Sequence, residues 1–498
     1  MTTSPARPRR GRLLPIAVSA LIVLWQLGLN STAAGPLRRY AMTAAMGTCQ
    51  DVGYFFYFYW HLGVFPVGAA EAPRLGPTRA DALAFVHSHG DRLRMDFGLP
   101  TNTPRFGDFG KLFTYVPDVW MRHDPADPSA VPFDELIFLA GLLATWWAFW
   151  AEGRARLGAM IVALAGSDPF QLYETYFRGN VFSLPISVAL LALAANLPLL
   201  TGRRTSGARA LATAALSALA LACVREIRAE AAFVGASVLA VYLLAPRASL
   251  ARRAVLAAVF VIAWGGAALA WQGYWARQFE AATRFVARAG GQVYGGPRNS
   301  HHAFWHAIDC GLGDFGGDRG FAWDDRVAFQ WATTRSASNP DPLPYHYRGG
   351  YYFEETWDGH NRIAPTDLPA YTTLVRGHVL AEIQRDPAWY VGILLQRLLR
   401  QMREATPASL RVGAWHVEIP GAGWLVLPVL AWALLRRRWL EAGLAAFTLP
   451  VGAAAMVIYS GRGMTGTAVA HLLALAVLLD AIAAALLARV PARRATGA

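Results

Sequence analysis

Lysine is almost missing from this chain. Lys111 is the only one in 498 residues, so arginine carries the positive charge. That bias reads as a GC-rich bacterial coding sequence more than a physical requirement. Cysteine is scarce too: Cys49, Cys223 and Cys310 are too few for a disulfide framework or a cysteine-based zinc site. Cys49 and Cys310 both fall in expected outside loops, where an oxidising compartment would allow them to pair. Charged residues make up 16% of the chain against 55% hydrophobic ones, a balance that excludes an ordinary soluble domain. The formal charge of +13 raises nucleic acid as a partner. No basic stretch is interleaved with aromatics as such a surface requires, so nucleic acid is not an expected partner.

What is present is long apolar runs. A helix needs roughly 20 apolar residues to cross a bilayer. About ten runs qualify as candidates: 13–30, 133–151, 157–172, 181–200, 208–224, 230–245, 254–272, 423–435, 439–459 and 467–488. The runs at 157–172, 230–245 and 423–435 are short, and Pro198, Pro428 and Pro450 interrupt or end others. Arginine clusters fall at every second gap: Arg7/Arg9/Arg10/Arg12, Arg154/Arg156, Arg203/Arg204/Arg209, Arg247/Arg252/Arg253, Arg436/Arg437/Arg438 and Arg489/Arg493/Arg494. Arginine retained on one side is the positive-inside signature, and anionic inner-leaflet lipid accounts for the excess charge. Ser31-Thr32-Ala33 is a passable signal cleavage site, but the preceding run is long enough to read as an uncleaved anchor.

The expectation is an all-α polytopic membrane protein of about ten transmembrane helices with an extracytoplasmic loop domain, in a bacterial inner (cytoplasmic) membrane. Both termini would be cytoplasmic and the long polar loops outside. Residues 1–132 would hold the first span and an outside loop with amphipathic interfacial helices. Residues 133–272 would form a six-helix bundle, 273–422 the large outside domain and 423–498 three terminal spans. No internal repeat is visible, which weighs against a transporter built from duplicated halves.

The outside loops carry the chemistry. Asp51 opens a run of aromatics ending at His61, a composition suited to the membrane–water interface. The stretch Asp81 to Arg94 has helical periodicity, with Leu83, Val86 and Leu93 near one face, and Gly107 to Tyr115 is a glycine-punctuated turn. Together they read as an amphipathic lid. Asp51 itself is either a helix cap, an exposed carboxylate or a working base whose pKa desolvation would raise. The pattern Asp51-Val52-Gly53-Tyr54 resembles the Asp-Glu-x-x-Tyr signature of the GT-C glycosyltransferases. Here Val52 replaces the usual Glu, and Asp51 lies further from the first span than is usual. The resemblance implies a polytopic enzyme that takes a sugar from a polyprenyl-phosphate carrier at the outer face, with Asp51 as catalytic base and Tyr54 nearby. It also implies a second polar group in the next outside gap, where Asp168, Glu174, Arg178 and Asn180 are available. Carrier phosphate would be bound by arginines near helix ends. Arg225, Arg228 and Arg462 are the candidates, and guanidinium groups suit phosphate oxygens bidentately. Arg225 and Arg228 share a face at helical spacing, as do Glu226 and Glu230, so an internal salt-bridge network is the alternative.

The string from His301 to Arg326 gathers His302, Trp305, His306, Asp309, Asp314, Trp323 and Asp325. Three readings stay open for it: a divalent metal site, a wall of sugar-binding rings and hydroxyl partners, or the core of the outside domain. It is similar to a His-x-x-Trp-His, Gly-Leu-Gly, Trp-x-Asp-Asp element in GT-C-like membrane proteins, which assigns it no chemistry. The stretch from Asp386 to Arg403 alternates Leu and Arg as an interfacial helix does. The expected partners are a polyprenyl-phosphate-linked sugar donor, a glycan, lipid or protein acceptor, and the bilayer. No cofactor is required; a divalent cation is the alternative. Two other functions remain. A polysaccharide ligase would centre on the 273–422 arginines (Arg298, Arg319, Arg326, Arg335, Arg348, Arg362), and an export component would need polar groups lining the middle of the spans, which are nearly free of charge there, Asp480 being the exception.

Overall fold

Leucine- and alanine-rich sequence favours helix, and helix dominates the computed structural model. The structure describes residues 13–32, 53–69, 75–95, 109–123, 125–126, 128–168, 171–172, 175, 184–203, 205–228, 233–245, 248–294, 302–315, 319–322, 324–336, 369–403, 408–412, 415–419, 422–447, 449–450, 453 and 465–489. Helix α1 (Leu13–Thr32) comes first. It is followed by α2 (Gly53–Leu62), strand β1 (Gly68–Ala69), α3 (Arg79–His89), strand β2 (Leu93–Arg94), a 3-10 turn (Phe109–Tyr115) and α4 (Val116–Arg122). A bundle continues with α5 (Val131–Ala151), α6 (Ala155–Gly166), α7 (Leu184–Leu200), α8 (Gly207–Ile227), α9 (Phe233–Leu244) and α10 (Leu250–Arg288). Beyond it lie α11 (His302–Leu312), α12 (Asp325–Ser336), α13 (Pro369–Arg385), α14 (Pro387–Arg403) and the strands β3 (Ala408–Val412) and β4 (Trp415–Ile419). The chain ends through α15 (Val426–Leu435), α16 (Trp439–Ala446) and α17 (Thr465–Arg489).

Each expected apolar run contains a helix. Among the described residues, four helical stretches are long and apolar enough to cross a membrane: Val131–Ala151, Gly207–Ile227, Leu250–Arg288 and His471–Ala488. The run expected at 254–272 understates its helix, because α10 continues to Arg288, straight through the anticipated boundary at 272/273. Its extension buries Trp275, Phe279, Ala282 and Val286, a helical stripe of another kind.

Two apolar cores result. The lower one gathers Phe138, Leu142, Phe149, Leu193, Val238, Tyr242 and Leu473 inside the bundle. The upper one is rich in rings, including Phe55, Phe56, Phe65, Phe109, Phe321, Phe329 and Tyr371. Helix α10 belongs to both, giving Leu256 and Phe260 to the lower core and Trp275 and Phe279 to the upper. The turn between α5 and α6 is short and turns on Gly153 at φ 73, so the two helices run antiparallel. The start of α5 and the end of α6 therefore share the upper end.

Helix α3 departs from expectation. It starts with a Thr78/Asp81 capping box and stops at His89, burying Ala82 and Phe85 while Leu83 stays 50% exposed. Leu93 lies in β2, not on the helix face. The cause is Gly90: a Cβ there would sit 2.1 Å from Ala289 O, so the chain turns where it meets the end of α10. Strand β2 pairs antiparallel with β1, and Arg94 also bridges to Gln292 just beyond α10.

Candidate functional site

The bundle is largely apolar; its buried polar groups include Asn196, bonded to Tyr242 Oη at 2.8 Å, and a cluster at its upper end. Gly166 closes α6 against α1, where an added Cβ would meet Gln26 Nε2 at 2.6 Å and the Trp25 ring at 2.7 Å. Gln26 Nε2 donates to Gly166 O at 3.1 Å. Immediately after the helix, Ser167 and Asp168 are fully buried. Asp168 Oδ1 accepts from Gln171 N at 2.8 Å, and Gln171 Nε2 donates to Thr175 Oγ1 at 2.8 Å and toward Ser187 Oγ of α7 at 3.4 Å. Strand β3 closes over this group: Arg411 N donates to Ser167 Oγ and Trp25 Nε1 to Arg411 O, each at 3.0 Å. Gln26 Oε1, Gln171 Oε1 and Arg411 Nε are buried with no hydrogen-bond partner among the described residues. Unanswered polar atoms at such depth are costly, and they are the groups a ligand hydroxyl or phosphate would satisfy.

A separate collar of rings belongs to the upper core. Tyr54 is the second residue of α2, and Asp51 precedes that helix by two residues. Tyr57 Oη donates to Gly76 O at 2.7 Å; burial, with the charge of Asp81, pushes its pKa up to about 12. The Tyr59 and Tyr274 hydroxyls share a 2.9 Å hydrogen bond, and burial foremost raises Tyr59 further still. Burial lowers His61, partly countered by Asp81. Trp271 and Trp275 stack at 5.7 Å, and Phe109 meets Trp275 edge-on at 5.2 Å.

Glu226, which sequence reasoning did not choose, is the buried member of the Arg225–Glu230 stretch. It accepts from Trp275 Nε1 at 3.0 Å, and Gly110 approaches so closely that a Cβ would lie 2.8 Å from Glu226 C. Lys111, the next residue, is 4% exposed. Arg225 is exposed on α8 and Arg228 half-buried. The helical face expected to join those two arginines does not extend that far, because α8 ends at Ile227 and Arg228 is extended (φ −150, ψ 115).

In the upper layer, His306 and Asp314 face inward. His306 Nδ1 lies 2.7 Å from Tyr371 Oη, its ring stacks on Phe329, and Cys310 Sγ is 3.7 Å from Nε2. Asp309 Oδ2 meets His378 Nδ1 at 3.0 Å, with the His378 ring lying flat on Trp331 at 3.8 Å. Asp314 Oδ2 accepts from the fully buried Arg397 Nε at 2.9 Å, and Arg397 Nη2 donates to Gly311 O at 2.5 Å. Burial pulls the Arg397 pKa below its usual value, against the pull of Asp314. These contacts build the interior of the layer, the third reading of that string. Trp305 is half-buried under the Arg376 guanidinium, 5.6 Å from its ring. Among the described residues, no three His, Cys, Asp or Glu side chains converge as metal ligands would.

Neither a family model, nor a curated protein, nor a solved structure matches this chain. The site stands on its own geometry. Of the expected residues, Asp51, Glu174, Arg178, Asn180, Glu230, Trp323 and Arg462 lie outside the described residues, and Tyr54, His302 and Asp325 are described in backbone only. Among the described residues, Asp168 is the one expected residue placed in the buried socket; Gln26, Gln171, Thr175, Ser187 and Arg411 join it unannounced. The signal for Gln26 was available, since it is the lone side-chain amide inside the first apolar helix before its last turn. The arrangement offers acceptors and amide donors suited to hydroxyls.

Proposed function

We propose that the protein is a membrane glycosyltransferase of the GT-C type, with about ten spans and both termini in the cytoplasm of a bacterial inner membrane. It moves a sugar from a polyprenyl-phosphate donor to an extracytoplasmic glycan, lipid or protein acceptor. The observation that carries this reading is the buried polar socket of Asp168, Gln171, Thr175 and Ser187 at the upper end of a largely apolar bundle. A helix bundle hides such groups only where they are answered or used.

In the reaction, Asp51 takes the proton of the acceptor hydroxyl as its oxygen attacks the anomeric carbon. The bond from that carbon to the phosphate oxygen breaks, the electron pair leaves with the polyprenyl phosphate, and the configuration inverts. Arg225, Arg228 and Arg462 offset the charge growing on the departing phosphate. Polyprenyl phosphate is a workable leaving group, so no metal is required. Tyr54, Asp168, Glu174, Arg178, Asn180 and Glu230 surround the sugar, and Trp305 gives it a ring face.

The test is transfer from radiolabelled polyprenyl-phosphate sugar by the purified protein in nanodiscs. Asp51→Asn should reduce turnover by roughly 10²-fold or more with unchanged thermal stability, the scale of a lost general base. Turnover at the wild-type rate in folded Asp51→Asn protein would refute the mechanism.

A further inference from the structure

A cavity of about 650 Å³ opens between α3 and the extension of α10, lined by none of the socket residues. Val64, Val86 and Phe285 form its apolar wall, and Arg284, Arg288 and His87 its polar rim. Both arginines are exposed, one helical turn apart on one face of α10. Neither guanidinium has an ion pair or hydrogen bond among the described residues, although exposed Glu280 lies one turn below Arg284. Among the described residues, the rim is thus two cations without an anionic partner beside an aromatic ring, in a space of the size that small-ligand sites occupy.

Position along α10 narrows the ligand. Residues 254–276 carry no charge, and at ~1.5 Å per residue they span ~34 Å, close to the ~30 Å hydrocarbon core. Arg277 then marks the bilayer edge, and Arg284 and Arg288 stand ~10 and ~16 Å above it. The headgroup layer adds only ~5–8 Å on each side, so lipid phosphates fall short of this rim. A ligand reaching it must rise from the surface or come from solution, carry negative charge, and offer an apolar face to Phe285.

We infer that this groove binds an anionic saccharide, one bearing carboxylates or phosphates on its rings, as the acceptor strand. The preference for an anion stands on the groove alone; its role as acceptor rests on the transferase reading. Guanidinium forks grip carboxylate or phosphate oxygens bidentately while the sugar's C–H face covers Phe285.

Binding is measured without donor lipid, on full-length protein in phosphatidylcholine nanodiscs, with tetragalacturonate and the neutral maltotetraose as probes. Tetragalacturonate should bind at least tenfold tighter than maltotetraose. Arg284→Ala/Arg288→Ala should erase that margin, Arg284→Lys/Arg288→Lys should keep part of it, and Ala281→Trp should block the groove with the charges intact. Equal binding of the two probes, or unchanged tetragalacturonate binding in the double alanine variant, overturns the proposal. So does a double variant that loses only co-purifying phosphatidylglycerol, which would assign the rim to lipid headgroups. Asp51→Asn should bind tetragalacturonate like the wild type, so failure here and failure of the transferase reading are read separately.

Discussion

A guanidinium with no exposed surface must be answered by an anion, and Asp314 answers Arg397 from 83 residues away in sequence. The Asp314 side chain is itself only 4% exposed. Removing one partner strands the other charge, whereas replacing both with apolar groups removes the problem. Arg397→Met should therefore cost about 3–5 kcal/mol in denaturant unfolding of the detergent-solubilised protein. Adding Asp314→Leu should recover most of that loss; a double variant as unstable as the single one would show that the pair does not act as a unit. No local spacing announces this pair. Asp314 stands out in sequence because glycines and aromatics surround it, and Arg397 only as part of a Leu/Arg alternation. The same holds for Glu226, whose partner Trp275 lies on another helix. Composition marks the residues, but only tertiary packing chooses their partners.

At the scale of elements, α14 is inside out at one position. Arg397 points into the layer, while Val391, Leu395 and Leu399, at successive i, i+4 positions, are 51%, 56% and 42% exposed. Asp386 caps its start, accepting from Trp389 N at 3.0 Å and from Arg319 at 2.6 Å. Those contacts, the backbone one foremost, hold the Asp386 carboxyl below its usual range. An outward apolar stripe along a capped helix belongs at the membrane surface, and nearby Val412, Trp415 and Val417 of the hairpin are exposed as well. A nitroxide placed by Val391→Cys labelling should be more accessible to molecular oxygen than to a water-soluble nickel chelate in vesicles; the reverse ratio would mean the stripe faces water. This helix was legible from its alternation. The extension of α10 was not, because a search for apolar runs stops at the first charges. The buried stripe 275, 279, 282 and 286 was in the sequence, at a helical period that such a search ignores.

For the whole molecule, the organising element is α10, which threads both cores and raises the groove of Arg284 and Arg288 above the bundle. The one charge within the terminal span, Asp480, is taken up by Arg156, whose Nε lies 2.5 Å from its carboxylate, so it gives no support to a transport path. Hydropathy gave the helix positions because burial in lipid and burial in protein demand the same residues. It could not say which helices touch, or that β3 would close over Ser167. Orientation rests on arginine. The cluster Arg436 to Arg438 follows α15, at the end of the bundle that also carries Arg154, Arg203 and Glu152, where Arg203 pairs with Glu152 at 3.1 Å. The end of α10 lies opposite. In a background with Cys49, Cys223 and Cys310 replaced by serine, the Arg288→Cys variant should react with a membrane-impermeant maleimide in intact spheroplasts, and the Arg437→Cys variant only after permeabilisation. The positive-inside rule predicts that order, because it would hold Arg437 at the cytoplasmic face. The opposite order would put the socket and the groove in the cytoplasm. A carrier-linked sugar presented at the outer face would then meet neither, and transfer at that face would have no site in this fold.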